Sequence, residues 1–484
     1  MISQQLHQAL VDCLGPEGVV SERTQLRTYE MDALTGHRQV PGVVVLPESK
    51  EQVCAVVRLC RDAGVPIVPR GAGTGLSGGA MPREDGVLIV LSRMRRILAI
   101  DPENQRAVVE PGVTNSAISQ AVAAHGLYYA PDPSSQMVCS IGGNVAENSG
   151  GAHCLKYGFT THHVLAVEIV LSDGEVVTLG DSVLDPPGYD LRGVFIGSEG
   201  TLGIATSITV RLLRVPEAVR TMVADFDTPA RAGDAVTAII EAGIIPAAVE
   251  MLDSLAIEAC EDATGAGYTR GIGAALVVEL DGPEAGIDES LAAVETLCRN
   301  SGASKIRLAE SDHARALIWK GRKAAFAAMG RLAPNYFVQD GVIPRTQLGR
   351  VLERMAELAS QAELRVANVF HAGDGNLHPL VLYNGSNPGE SERAEKLAAD
   401  IAELCVEYGG SITGEHGVGV DKACSMPKMF SADDLATMLE VRQAFDPAGL
   451  CNPDKVFPTP RLCGEIPGPY RPHPLEEAGL IERM

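Results

Sequence analysis

Between two short apolar runs, 65–68 and 86–91, the chain reads Arg70-Gly71-Ala72-Gly73-Thr74-Gly75-Leu76-Ser77-Gly78-Gly79. Glycine at this density is costly in backbone entropy and is retained where a backbone must bend sharply or approach a ligand closely. Gly73, Gly75 and Gly78 satisfy G-x-G-x-x-G, but the Rossmann fingerprint also requires a helix directly after the loop. Here Met81-Pro82 and then Gly86-Val87-Leu88-Ile89-Val90-Leu91 predict a second strand. A glycine nest between two strands can still offer backbone N–H groups to a pyrophosphate, without a helix dipole. The pattern therefore points to a dinucleotide held outside a Rossmann fold. Upstream, Ser49 and Gln52 form a capping pattern, Val53, Val56, Val57 and Cys60 share a helical face, and Gly64 marks a stop, so a helix is expected before the first strand.

Two further clusters have the same character. Pro131-Asp132-Pro133-Ser134-Ser135 is followed by Ser140 to Gly151, containing Gly142, Gly143, Asn144, Asn148, Ser149, Gly150 and Gly151, with Tyr157 just beyond. The third, Gly197-Ser198-Glu199-Gly200-Thr201-Leu202-Gly203-Ile204, runs into an alternating strand that ends near Leu213. Small residues interleaved with hydroxyls and amides let a backbone lie against a flat polar ligand. Three such loops suit one long ligand.

The chain is 484 residues long, too long for a single core, and implies two or three domains. Its formal charge of −22 opposes nucleic acid and anionic lipid as partners. It has no basic start followed by an apolar run and no apolar stretch long enough to span a bilayer. A cytoplasmic protein is expected, at most held at the inner membrane by a partner. The eleven cysteines are scattered without a C-x-x-C pair, a pattern that fits reduced, mostly buried thiols. The same scatter supplies no cysteine set for an iron–sulfur cluster.

In the second half, His371 and His378 bracket Gly-Asp-Gly-Asn in V-F-H-A-G-D-G-N-L-H-P, and Glu415-His416 follow in another glycine-rich loop. Asp374-Gly375 predicts a two-residue hairpin turn, which would set 371 opposite 378. Directly opposed residues share a sheet face, so both imidazoles could reach one metal ion, with Glu415 as a third, oxygen ligand. Three protein ligands leave room for water or substrate, as in catalytic sites. Taken alone, two histidines near a hairpin fit ordinary hydrogen-bonded side chains better than a metal site.

Taken in order, R-G-A-G-T-G-L-S-G-G, P-D-P-S-S, G-G-N-V-A-E-N-S-G-G, G-S-E-G-T-L-G-I, H-A-G-D-G-N-L-H, G-E-H-G-V-G and C-N-P-D-K resemble the FAD-linked 2-hydroxy acid dehydrogenases of the vanillyl-alcohol-oxidase superfamily. Within that family the chain looks most like the FAD-binding subunits of bacterial glycolate oxidases, including a tail of the type F-P-T-P-x-x-C-G-E at 457–465. The resemblance implies an α+β fold. A two-lobed FAD-binding domain of vanillyl-alcohol-oxidase type would span 1–216, an α+β substrate and metal cap 217–445, and a C-terminal segment returning to the flavin 446–484. Within the cap, strand, helix and strand are expected at 218–226, 229–242 and 247–251. The loop residues named above, with Asn452, become the cofactor contacts. No histidine lies within the 70–79 loop or 131–151, His125 and His153 falling just outside, so FAD is expected to be non-covalent.

For the chemistry, the resemblance makes His371, His378 and Glu415 ligands of a divalent metal. Mixed nitrogen and oxygen donors suit zinc or manganese, zinc being the first choice. It also makes His416 the base and Arg322 the grip on the substrate carboxylate. A small 2-hydroxy acid, glycolate or D-lactate, would be oxidised to the 2-oxo acid by hydride transfer to flavin. From the residues alone, Lys320, Arg322 and Lys323 read better as a solvated helix face, and only the resemblance puts Arg322 ahead. Electrons would pass to an iron–sulfur partner subunit or a quinone, and a homo- or hetero-oligomer is compatible with this role. D-2-hydroxyglutarate or another D-2-hydroxy acid as substrate, a non-catalytic flavoprotein subunit and an NAD-dependent Rossmann enzyme are the alternatives.

Overall fold

The computed structural model describes residues 2–183, 187–459 and 463. The chain divides into two compact units. One gathers the chain up to Ser149, Phe159–Arg214 and the segment starting at Glu415; the other contains Gly150–Gly158 and Val215–Gly414.

The first unit contains two larger sheets and a two-stranded pair, Leu127–Tyr128 with Leu213–Arg214. In the smaller of those two sheets, Val43–Val45, Val87–Val90 and Ile67–Arg70 run parallel, with Val19–Val20 antiparallel at one edge. All four residues of the central strand Val87–Val90 are buried, as expected of a parallel strand covered on both faces, which is why its sequence is continuously apolar. The helix Lys50–Ala63 forms as the sequence predicts: Ser49 accepts from the Gln52 N–H, and Gly64 closes it in the left-handed region. Its face of Val53, Val56, Val57 and Cys60 packs on Ile67, Val87 and Ile89. Parallel neighbours are usually joined through a helix, yet the connection 71–86 between Ile67–Arg70 and Val87–Val90 contains none. That is the strand–nest–strand arrangement expected from the sequence.

The larger sheet of this unit is antiparallel, in the order Ile97–Asp101, Arg106–Val109, Ile204–Arg211, Val164–Val170, Val176–Gly180. Beside it, the glycine cluster after Ser140 forms a helix, Ile141–Glu147, rather than an open loop. Gly142 is required there because a Cβ would sit 2.6 Å from the Pro111 side chain. The sequence places the return to this unit at 446, but in the structure 415–445 already belongs to it. Val420 N–H bonds the Ser77 carbonyl, and Ser172 Oγ bonds that of Phe445. The turn signal at Asp446-Pro447-Ala448-Gly449 marks only the end of the helix Ala432–Phe445.

The second unit is built on an antiparallel sheet in the order Lys305–Leu308, Ala218–Phe226, Ala274–Gly282, Ala248–Asp253, Arg365–His371, continuing through Asn376–Leu377 to Gly341–Val342. Helices Pro229–Glu241, Ile287–Asn300 and Leu348–Gln361 bury one face against Met222, Met251 and Phe370. Ser254–Thr264 and Asp312–Lys323 cover the other, against Val223, Leu252 and Val369.

The expectation of uniformly reduced thiols is corrected at one place. Cys424 and Cys463 form a disulfide, with Cα atoms 5.5 Å apart and a sequence separation of 39. Spacing along the chain cannot reveal such a pair, because folding alone makes them neighbours. The other residues of the tail motif after Thr459 lie outside the described residues.

Candidate functional site

The strand Arg365–His371 runs antiparallel to Ala248–Asp253 with His371 directly opposite Glu250. Opposed side chains share a face, and Glu250 Oε1 lies 2.7 Å from His371 Nδ1. The other oxygen, Oε2, accepts from Arg322 Nε at 2.7 Å, and Arg322 Nη2 is 2.6 Å away. Side-chain exposure is 0% for Glu250, 3% for Arg322 and 6% for His371, so the three form one dry cluster. Arg322 stands near the end of Asp312–Lys323, while Lys320 and Lys323 of the same helix are exposed. The solvated-face reading thus fits the two lysines and not the arginine. Upstream on this helix, Arg315 donates twice and Trp319 Nε1 once to buried Glu279, which anchors the helix to the sheet.

The hairpin between the histidines departs from the sequence prediction. The turn is four residues long, 372–375, and His371 opposes Asn376. Asn368 opposes Pro379, so His378 is displaced by two positions from His371. Neighbouring segments impose the wider turn. Gly373 N–H bonds the Val249 carbonyl, Ile343 N–H bonds that of Gly375, and Arg345 bonds that of Gly373. A slip of two keeps a side chain on the same face of a sheet. The rings consequently still meet, with centroids 5.1 Å apart and planes at 83°. Asp340 Oδ1 lies 3.5 Å from His378 Nε2, and its Oδ2 accepts from Thr413 Oγ1 and Gly414 N–H. Glu415 and His416 come next in the chain, in a half-buried bend. Glu250 and Asp340 were not identified from the sequence. The strand register, invisible in a single chain, was the missing signal.

The expected cofactor loops lie in the first unit, except Gly150, Gly151 and Tyr157, which group with the second. Tyr157 Oη donates to Asp281 there. Arg70 Nη1 bonds the Met31 carbonyl and orients the start of the glycine loop. Gly73 and Gly78 take positive φ, +72° and +82°, which a side chain would oppose. Ser77 is fully buried and its Oγ has no hydrogen-bond partner among the described residues. The same holds for Oδ1 of buried Asn452, whose Nδ2 bonds the carbonyls of Gly79 and Glu199. Asn115, a residue the sequence did not single out, bonds the Pro131 carbonyl and Asn144 Oδ1 and ties two of the clusters together. Asn148, in the left-handed region, accepts from Thr161 N–H, and Ser149 accepts from Thr160 Oγ1. Buried Lys455 in C-N-P-D-K is pushed down to about 8 by its burial. Buried unpartnered hydroxyl and amide groups beside glycine-lined backbone fit a long polar cofactor such as FAD.

Among the described residues, no helix is long and apolar enough to cross a membrane. Residues 41–180 match the FAD binding domain family, and residues 215–456 match the C-terminal domain of FAD-linked oxidases. The chain is 53% identical over 438 residues to the glycolate oxidase subunit GlcD of Escherichia coli K12, covering 90% of this chain and 88% of that protein. It is 36% identical to GlcD of Bacillus subtilis, covering 94% and 97% of the two. Against a mitochondrial D-lactate dehydrogenase (cytochrome) of Arabidopsis thaliana it is 33% identical, covering 88% and 74%. The structure of p-cresol methylhydroxylase superposes with a TM-score of 0.80 at 18% identity, covering 94% of this chain and 97% of that one, which establishes a shared fold. By these matches the chain belongs to the FAD-linked oxidases and is an FAD-dependent oxidoreductase.

Proposed function

We propose that this protein oxidises a small 2-hydroxy acid, glycolate or D-lactate, to the 2-oxo acid. The observation that carries this reading is the dry cluster in which one carboxylate, Glu250, orients both a guanidinium and an imidazole. Glu250 engages Nε and approaches Nη2 of Arg322, which leaves the outer edge of the guanidinium to grip a substrate carboxylate. The same carboxylate favours a proton on His371 Nδ1, leaving the Nε2 lone pair for a metal, as is common for metal-bound histidines. Relatives named for glycolate and D-lactate support the substrate class.

His371, His378 and Glu415 would hold a divalent cation, zinc by its nitrogen and oxygen donors, whose chemistry is to polarise the substrate hydroxyl. His416 takes the hydroxyl proton, a role that needs the hydroxyl acidified, since an unaided imidazole is too weak a base for it. Bound FAD supplies the acceptor for the hydride from C2. FAD is held without a covalent bond by the loops at 70–77, 131–151 and 199–204 and by Asn452. His153, the nearest histidine after these loops, is engaged with Glu279 and stacked on Trp319. Electrons leave to a partner, an iron–sulfur subunit or a quinone. The two bacterial relatives are themselves named as subunits, which supports a protein working in a complex.

The test is anaerobic mixing of the purified protein with glycolate, D-lactate, L-lactate or D-2-hydroxyglutarate, with and without prior chelation, followed by the visible flavin spectrum. Bleaching by glycolate or D-lactate, slowed by verified metal removal, is expected. Bleaching only by D-2-hydroxyglutarate would overturn the substrate assignment, and equal bleaching after metal removal would overturn the metal's role. Acid precipitation should release the flavin into the supernatant.

A further inference from the structure

Glu199 has a backbone φ of +53°, a region that glycine enters freely and other residues only under strain. It is held there by its N–H on the Ala146 carbonyl and by Asn452 Nδ2 on its own carbonyl. The residue is 4% exposed, and both side-chain oxygens are engaged: Oε1 accepts from Val418 N–H and Oε2 from Gly419 N–H, each at 2.7 Å. Glu199 therefore faces the turn that follows Glu415-His416.

The turn is bound to the same unit from a second side. Val420 and Asp421 N–H both bond the Ser77 carbonyl. A Cβ on Gly419 would collide with that carbonyl, and one on Gly417 would collide with Glu147 Oε2 and lie 2.9 Å from Glu199 Oε1. A Cβ on Gly79 would lie 2.6 Å from Glu147 Oε1 and 3.2 Å from Glu199 Oε2. Two carboxyl groups are thus packed together between the backbones of Gly79 and Gly417, and a side chain on either glycine would have to displace them.

We propose that Glu199 is a positioning residue for the reaction, its two oxygens fixing the Gly417–Gly419 turn and, through it, the backbone that carries Glu415 and His416. This inference rests on the roles proposed above for those two residues. Glu147 completes the arrangement as the neutral partner. Its Oε2 is shielded and has no hydrogen-bond partner among the described residues, whereas Glu199 receives two N–H groups that favour the ionised form. Burial, then the neighbouring Glu199 and Asp32, push the Glu147 carboxyl well above the usual range, with Lys422 opposing. Burial also raises Glu199, against the Val418 and Gly419 N–H groups and the charges of Lys455 and Lys422. One proton on Glu147 avoids two adjacent buried charges.

The test uses the FAD-loaded full chain and two readouts. Hydrogen exchange of a peptide spanning 415–420 reports the turn without reference to catalysis, and kcat and KM for glycolate report positioning. Glu199→Ala is expected to speed exchange at least about tenfold and to lower kcat about a hundredfold, with KM changed less than about threefold. Glu199→Gln keeps one acceptor oxygen and should fall between wild type and Glu199→Ala in both readouts. Glu147→Gln should leave the exchange slow. Unchanged exchange in Glu199→Ala, or faster exchange with kcat within twofold of wild type, would overturn the proposal. Should Glu199→Ala fail to fold or to retain flavin, Glu199→Gln decides by the same criteria. A wild-type protein inert to glycolate would refute the proposed substrate while leaving the exchange result to judge the clamp.

Discussion

Glu250 and His371 face one another across adjacent antiparallel strands, and the oxygen of Glu250 not directed at His371 receives Arg322. Glu250→Gln leaves a buried guanidinium without its counter-charge. That should cost about 3–5 kcal/mol of stability, measured by denaturant unfolding. Because the carboxylate also orients the imidazole proposed as a metal ligand, metal affinity should fall about 10–100-fold. Loss of stability with unchanged metal affinity would show that Glu250 serves only the arginine.

His371→Ala and His378→Ala should each abolish stoichiometric metal, read by elemental analysis, while the visible flavin absorbance remains. Apart from Gly150, Gly151 and Tyr157, the proposed flavin contacts lie in the other compact unit, so the flavin and the proposed metal can be lost separately. Joint loss of flavin and metal in either variant would contradict this.

Glu279 gives a pH-dependent contribution whose sign is fixed. Burial would raise its carboxyl, but Arg315, His153 and Thr221 outweigh that and hold it well below the usual range. A depressed carboxylate stabilises the fold fully above its unfolded value, ~4.3, and loses that contribution as pH falls toward its folded value. Glu279→Gln should therefore be less stable than wild type near neutrality, by about 3 kcal/mol given that Arg315 is 38% exposed. The gap should narrow steadily below about pH 4. Thermal unfolding of the pair across pH measures it, and a constant gap would refute the assignment.

Eleven cysteines and nine free thiols make the disulfide countable by mass. Protein purified without reductant, denatured and alkylated, should take up nine alkyl groups, and eleven after reduction. Eleven in both cases would mean that Cys424 and Cys463 remain thiols.

The legible parts of this fold are those set by local chemistry. Ser49, Gly64 and the face of Val53, Val56, Val57 and Cys60 specify a helix whatever surrounds it, and the structure places it at Lys50–Ala63. The strand after the glycine loop was readable because a continuous apolar run after Met81-Pro82 has few other solutions. Partners set by register or by long-range closure were not legible. Glu250 meets His371 from 121 residues away, and Asp340 meets Gly414 from 74. The return at Glu415 was missed for the same reason. Its cue is the pair of backbone amides that Glu199 collects, whereas Asp446-Pro447 is a conspicuous local signal with only a local consequence.

The four-residue turn at 372–375 has a consequence for altering this chain. Because strand side chains alternate, the parity of the loop decides whether His371 and His378 remain on one side of the sheet. Removing or adding two residues between them exchanges one even loop for another and keeps the imidazoles on a common side. A single insertion reverses one strand against the other and sends one ring to the face packed against Leu348–Gln361. Loop length in this segment therefore behaves as a binary switch on the histidine pair, whatever residues fill it.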